Sequence, residues 1–108
     1  MAFNDLRIGE AERLALLLEE LGEAQQAVGK ILRHGYNCWH PDHDNGPDNR
    51  ARLEHELGDV LFAIDLLIAS DDINYGALQL RKAEKGKTVP EYLHHQRSVL
   101  KSMRQAKP

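Results

Sequence analysis

The feature that most narrows the fold of this chain is a pair of long stretches with helical apolar spacing, separated by one abrupt break. Between Ile8 and His34, the residues Leu14, Leu17, Leu18, Leu21, Val28 and Leu32 recur at helical intervals, and no proline interrupts them. The next stretch, "HGYNCWHPDHDNGPDN" over residues 34–49, gathers two Pro, two Gly, three Asn and three Asp. Such turn-forming residues stop helix propagation. A second helix is predicted to open at Asp48 or Asn49, both good caps, and to run to about Ser70. "SDDINYG" reads as a turn. A third, shorter helix is expected over Ala77 to Lys85, with Gly86 ending it. Thr88-Val89-Pro90-Glu91 has the form of a capping box with Pro in the first turn, which predicts a last helix to about Met103. The tail over 104–108 is expected to fray. Strand signals are nearly absent. The predicted class is all-α: two long helices and two shorter ones in a bundle, a single domain over 1–108 with a long loop over 34–49.

Inside the two long helices the chain repeats one unfavourable phrase. "ELGE" spans Glu20 to Glu23 and "ELGD" spans Glu56 to Asp59. Glycine within a helix costs about 1 kcal/mol relative to alanine, and acids three residues apart share a face and repel. Stepped around a helical wheel, Glu20 falls at the edge of the first leucine stripe and Glu23 beside it, in a sector shared with Leu16 and Ala27. On the second helix, Leu53, Leu57, Val60, Leu61, Ile64, Leu67 and Ile68 form one stripe, and Phe62 and Leu66 lie opposite. A helix apolar nearly all round is a buried one, yet Glu56 and Asp59 project from it beside Ala63. Glu10, Glu12 and Glu54 read as ordinary surface acids.

Two such pairs on adjacent antiparallel helices face each other. Without compensation they suffer desolvation and repulsion, which a divalent cation relieves. Carboxylates are hard oxygen donors that suit Mg²⁺, or Mn²⁺, rather than zinc, and bundle-core metal sites are built from acids on facing helices. Gly22 and Gly58 are expected to let a neighbouring backbone or a ligand approach the acid-bearing turns. Mg²⁺ shares its shell with phosphates, so a phosphate-bearing substrate is expected, with Arg81, Lys82 and Lys85 on the third helix as its positive partners.

Composition removes several other roles. The net charge of −3 with 29% charged residues argues against a nucleic-acid partner. The N-terminus "MAFNDLRIGE" has no signal-peptide core, and the longest apolar run, Val60 to Ile64, is too short for a bilayer. A single cysteine, Cys38, fits a reducing cytoplasm. Its spacing to His40 and His43 does not match the usual zinc pairs. A chain of 108 residues with so apolar a second helix is expected to associate as a dimer or tetramer.

"EELGE" (Glu19 to Glu23) followed by "ELGD" (Glu56 to Asp59) resembles the EExxE…ExxD signature of the MazG-like all-α nucleoside triphosphate pyrophosphohydrolases. The likeness runs from about Leu14 to Gln96. It is strongest to short phage-type members, which carry segments like "KILRHGY" and "YLHHQ". The resemblance implies Mg²⁺-dependent cleavage between the α- and β-phosphates of a (d)NTP, a homo-oligomer, and Glu20, Glu23, Glu56 and Asp59 as metal ligands. With it go Glu23 or Glu19 as the base that orients water, Lys82 and Lys85 on the leaving pyrophosphate, and Tyr36 or Trp39 stacking on the base. The inter-motif loop is longer than is usual in the family. The third helix lacks the lysine-asparagine pattern of dCTP- and dUTP-preferring members, so no base preference carries over. Two alternatives remain open: a pyrophosphohydrolase of a related nucleotide such as phosphoribosyl-ATP, or a non-catalytic nucleotide-binding helical oligomer.

Overall fold

A computed structural model describes residues 3–38 and 46–105, and among them every regular element is helical. Helix α1 spans Ile8–His34, α2 Asn49–Ala69, α3 Tyr75–Thr88 and α4 Arg97–Gln105, with a short 3₁₀ turn at Val89–Glu91. The chain divides into two compact units, residues 1–72 and 73–108. Among the described residues no helix is long and apolar enough to cross a membrane.

The first unit is an antiparallel hairpin of α1 and α2. α1 begins where the Arg7 amide donates to the Glu10 carboxylate at 2.8 Å. It ends at Gly35, whose φ of 87° lies in the region that glycine enters without a side-chain clash. The Gly35 amide still donates to Ile31 O at 2.7 Å. α2 is capped by Asp48, whose side chain accepts from the Ala51 amide at 2.9 Å. At its other end Asp71 takes a positive φ of 59°. The Asp71 amide then donates to Ile68 O and the Asp72 amide to Leu67 O, a two-bond C-terminal closure.

Both ends of the hairpin are tied across. The Arg13 guanidinium donates twice to Asp72, Nε to Oδ2 at 2.6 Å and Nη2 to Oδ1 at 3.0 Å. At the loop end Asn49 Nδ2 donates to Gly35 O at 3.0 Å, while the Asn49 and Arg50 amides donate to Cys38 O and Tyr36 O. Between these ties the buried apolar residues are Ala24, Ala27, Val60, Ala63 and Leu67. Three of the five are alanines, which let the helices approach closely.

On α2, expected from its nearly all-round apolar surface to be buried, Leu61 and Phe62 are 62% and 64% exposed, and on α1 Leu18 is 75% and Leu32 82% exposed. The helices meet along Ala24, Ala27, Val60, Ala63 and Leu67, while many of the other large apolar side chains face outward.

The second unit corrects the reading of the last two helices. Asn74 accepts from the Ala77 amide at 2.9 Å and so starts α3 two residues before the expected position. Gly86 does not stop the helix. Thr88, expected to cap the last helix, closes α3 instead: its hydroxyl donates back to Lys85 O at 3.3 Å. Pro90 lacks the N–H needed to continue the ladder. Only the 3₁₀ turn follows, and α4 waits until Arg97.

Candidate metal centre

The two E-L-G-acid phrases come together in the middle of the hairpin seam. Glu20 and Glu23 project from α1, Glu56 and Asp59 from α2, and one oxygen from each carboxylate lies within 4.8 Å of the others. All four residues are half-buried, alongside Ala24, Ala27, Val60 and Ala63. Glu20 Oε2 and Glu56 Oε2 are shut off from solvent and accept no hydrogen bond from the described residues. A buried carboxylate oxygen without a donor is an expensive arrangement in a folded protein.

The electrostatics agree with the geometry. Burial pushes the Glu20 carboxyl above its ordinary value, and repulsion from Glu23, Asp59, Glu19 and Glu56 adds to the shift. Glu23 is pushed up first by its hydrogen-bonding contact with the Glu56 carboxyl, which needs a shared proton, and then by burial. Charge on Glu56 and Asp59 adds, while His55 opposes. The crowding thus favours protons on Glu20 and Glu23, and a cation of two or more charges bound by the same oxygens would relieve the same repulsion. These four acids fit a metal ion by donor type, by convergence and by their orphaned oxygens.

No family model, no curated protein and no solved structure matches this chain. What the centre does must therefore be read from its own donor set and surroundings.

The other residues expected at the site are spread over the chain. Glu19 is exposed on α1 and reaches the cluster through its charge on Glu20. Tyr36 is exposed in the turn after α1, beneath the Arg50 guanidinium at 4.8 Å from its ring centroid. Arg50 also donates to Asn37 Oδ1 at 3.0 Å. Trp39, His40 and His43 lie outside the described residues. Arg81, Lys82 and Lys85 are exposed on α3, in the second unit. Arg81 faces Glu84 one turn on at 3.6 Å, and Lys82 lines a cleft with Leu100 and Met103 of α4.

Beside Gly22 and Gly58 there is open space, and no described residue fills it. A methyl group at either position meets nothing within 4 Å. The facing helix is therefore not the reason for these glycines, contrary to the expectation of a close neighbouring backbone.

Three residues near the acids escaped the sequence reading. His55 Nε2 lies 3.4 Å from Asp59 Oδ2, one turn away on α2. The i,i+4 spacing to an acid was its available signal. Lys30 and Arg52 line a cleft with Glu23 and Glu56. Each lies within two helical turns of its acid, and the antiparallel register brings the two cations to the same end of the cleft.

Proposed function

We propose that this chain is a Mg²⁺-dependent nucleoside triphosphate pyrophosphohydrolase, releasing a monophosphate and pyrophosphate by cleavage between the α- and β-phosphates. The observation that carries the reading is the seam of four carboxylates within 4.8 Å, two of them with dry, undonated oxygens. Its all-oxygen donor set favours Mg²⁺ or Mn²⁺ over softer metals. The EExxE…ExxD likeness supports a phosphoric anhydride as the substrate.

In this reading Glu20, Glu23, Glu56 and Asp59 hold the cation, which when bound neutralises phosphate charge and polarises the phosphoryl oxygens. Glu23, through a carboxylate oxygen not taken up by the cation, takes the proton from the attacking water. Glu19, at the solvent edge of the cluster, is the other residue able to orient that water. The water oxygen bonds to the α-phosphorus, the bond from that phosphorus to the bridging oxygen breaks, and pyrophosphate leaves with the bridging oxygen. His55, 3.4 Å from Asp59, keeps that carboxylate turned along α2.

The active form is a homodimer or a homotetramer. Leu14, Leu18, Leu32, Leu57, Leu61 and Phe62 are all exposed on the hairpin. So many large apolar side chains exposed on one small hairpin are normally covered, and a second copy of the chain is the cover this reading assigns.

Incubation with all eight (d)NTPs and Mg²⁺, with products separated by chromatography, tests the reading. The expected result is pyrophosphate and a monophosphate from at least one substrate, abolished by EDTA. Orthophosphate release that resists EDTA overturns it.

A further inference from the structure

Beside the acid cluster the hairpin carries a cleft of about 310 Å³ that is acidic at one end and basic at the other. Glu23 and Glu56 form the acidic end and belong to the seam of carboxylates. Lys30 and Arg52 supply the positive charge, with the carboxamides of Gln26 and Asn49 alongside. Lys30 follows Glu23 by two helical turns, about 10 Å along the axis, and Arg52 precedes Glu56 by one turn, about 6 Å. Because α1 and α2 run antiparallel, both displacements point toward the loop end of the hairpin, so the charge changes sign along the cleft.

We propose that the basic end of this cleft, Lys30 with Arg52, seats the pyrophosphate half of the substrate. The assignment rests on the pyrophosphohydrolase reading for the identity of the ligand, and on the cleft's own charges for its binding. Bare acids repel a polyphosphate, so an anion approaching Glu23 and Glu56 needs positive charge within reach on the same wall. The exposed Lys30 has no ion-pair partner among the described residues. Arg52 is half-buried and lines the cleft; its guanidinium Nε makes one long hydrogen bond, 3.4 Å, to Pro47 O, and a planar guanidinium suits phosphate.

The start of α2 does not supply the anion donors. The Asn49 amide donates to Cys38 O, the Arg50 amide to Tyr36 O and the Ala51 amide to Asp48 Oδ1. Asn49 itself is buried and its Nδ2 is committed to Gly35 O. These bonds occupy the donors at the start of α2 and leave recognition to the two cations. Lys82 and Lys85, the phosphate partners expected from the sequence, sit in the other unit, whereas Lys30 and Arg52 share their helices with the acids.

Calorimetric titration with inorganic pyrophosphate, in the presence and absence of Mg²⁺, tests the assignment on the wild-type chain and on Lys30→Gln, Arg52→Gln and the double variant. Each single change is expected to weaken pyrophosphate by about tenfold or more, the effect of losing one charge-assisted contact. Mn²⁺ affinity, followed by water-proton relaxation, is expected to stay within about twofold, since neither residue is a ligand. Circular dichroism checks that the variants keep their helices. Unchanged pyrophosphate affinity in the double variant overturns the proposal, as does absence of pyrophosphate binding by the wild type under both conditions. If Mn²⁺ does not bind while pyrophosphate still binds through Lys30 and Arg52, the cleft assignment stands and the pyrophosphohydrolase reading falls.

Discussion

The inner and outer faces of the α1–α2 hairpin are composed the opposite way round from those of an ordinary amphipathic pair. The inner face holds four acids and three alanines, with only Val60 and Leu67 as larger buried apolar residues. The outer face shows leucines and Phe62 to the surroundings. An isolated pair of helices gains stability by hiding its large apolar side chains. This pair closes on alanines with Val60 and Leu67, and leaves many other large apolar side chains on the surface. On the proposed reading the difference separates two jobs: the seam for an ion and its ligands, the outside for association.

Removing one charge from the inner face is expected to have the largest effect. Glu56→Gln or Asp59→Asn should lower kcat by about a hundredfold or more, in line with the loss of a preorganised electrostatic contact at a reacting phosphate. Helical content should be retained, because each change relieves repulsion. Normal turnover by either variant would place the chemistry elsewhere.

The outer face is expected to respond in association rather than chemistry. On the proposed association, Phe62→Glu or Leu61→Glu puts a charge into a surface that a second copy would bury. Dissociation should strengthen by about thirtyfold or more, the scale of an interface anchor. Light scattering across micromolar concentrations reads this directly. A wild-type chain that stays at 12.3 kDa throughout would show that the outer face has no copy of itself as partner.

Acidity separates the faces a third way. Folding raises the proton affinity of Glu20 and Glu23 above the ordinary carboxyl value of 4.5. The linked stability is fully present below that value and is lost as pH rises through the raised folded values. Cation-free protein should therefore melt progressively lower as pH increases across that window, and saturating Mg²⁺ should flatten the dependence. A melting temperature independent of both pH and Mg²⁺ would mean that the acids neither share protons nor bind the ion.

The smallest effect belongs to Gly58, where a methyl group meets open space. Gly58→Ala should stabilise the dilute chain by about 0.4–1 kcal/mol, through the reduced entropy of the unfolded state. A lower melting point at low concentration would contradict this. Weaker association alone would mark Gly58 as a contact between copies.

The limits of the sequence follow the same division. Helix α1 was legible to its ends because Gly35 and the Pro-rich break punctuate it, and α2 because Asp48 caps it. The four acids were legible because the chain writes them twice at i,i+3. The rotation of the helices was not, because apolar periodicity reports where large side chains repeat, not whether they face in or out. Ala24, Ala27 and Ala63, in the same sector as the acids, were the better guide to the seam. Thr88 misled in a different way: a threonine suits either the start of a helix or the last turn of the one before, and the bond to Lys85 O decides between them. Arg52 at i,i+4 and Lys30 at i,i+7 from the acids were open to the same helical spacing as His55, but their pairing with each other depends on register, which no local pattern encodes.

The ties at the two ends of the hairpin set an order of events. Arg13 with Asp72, and Asn49 with Gly35, align α1 against α2 without help from any residue of the seam between them. The frame can therefore assemble first and the ion can arrive afterwards, into oxygens already gathered. Ion capture on such a frame is a simple encounter, with a rate that rises in proportion to ion concentration, rather than a slow event gated by chain collapse. Rapid-mixing measurements with Mn²⁺ would show a single concentration-dependent phase. The protein would then be ready to work as soon as its cation pool is replenished, with no refolding delay.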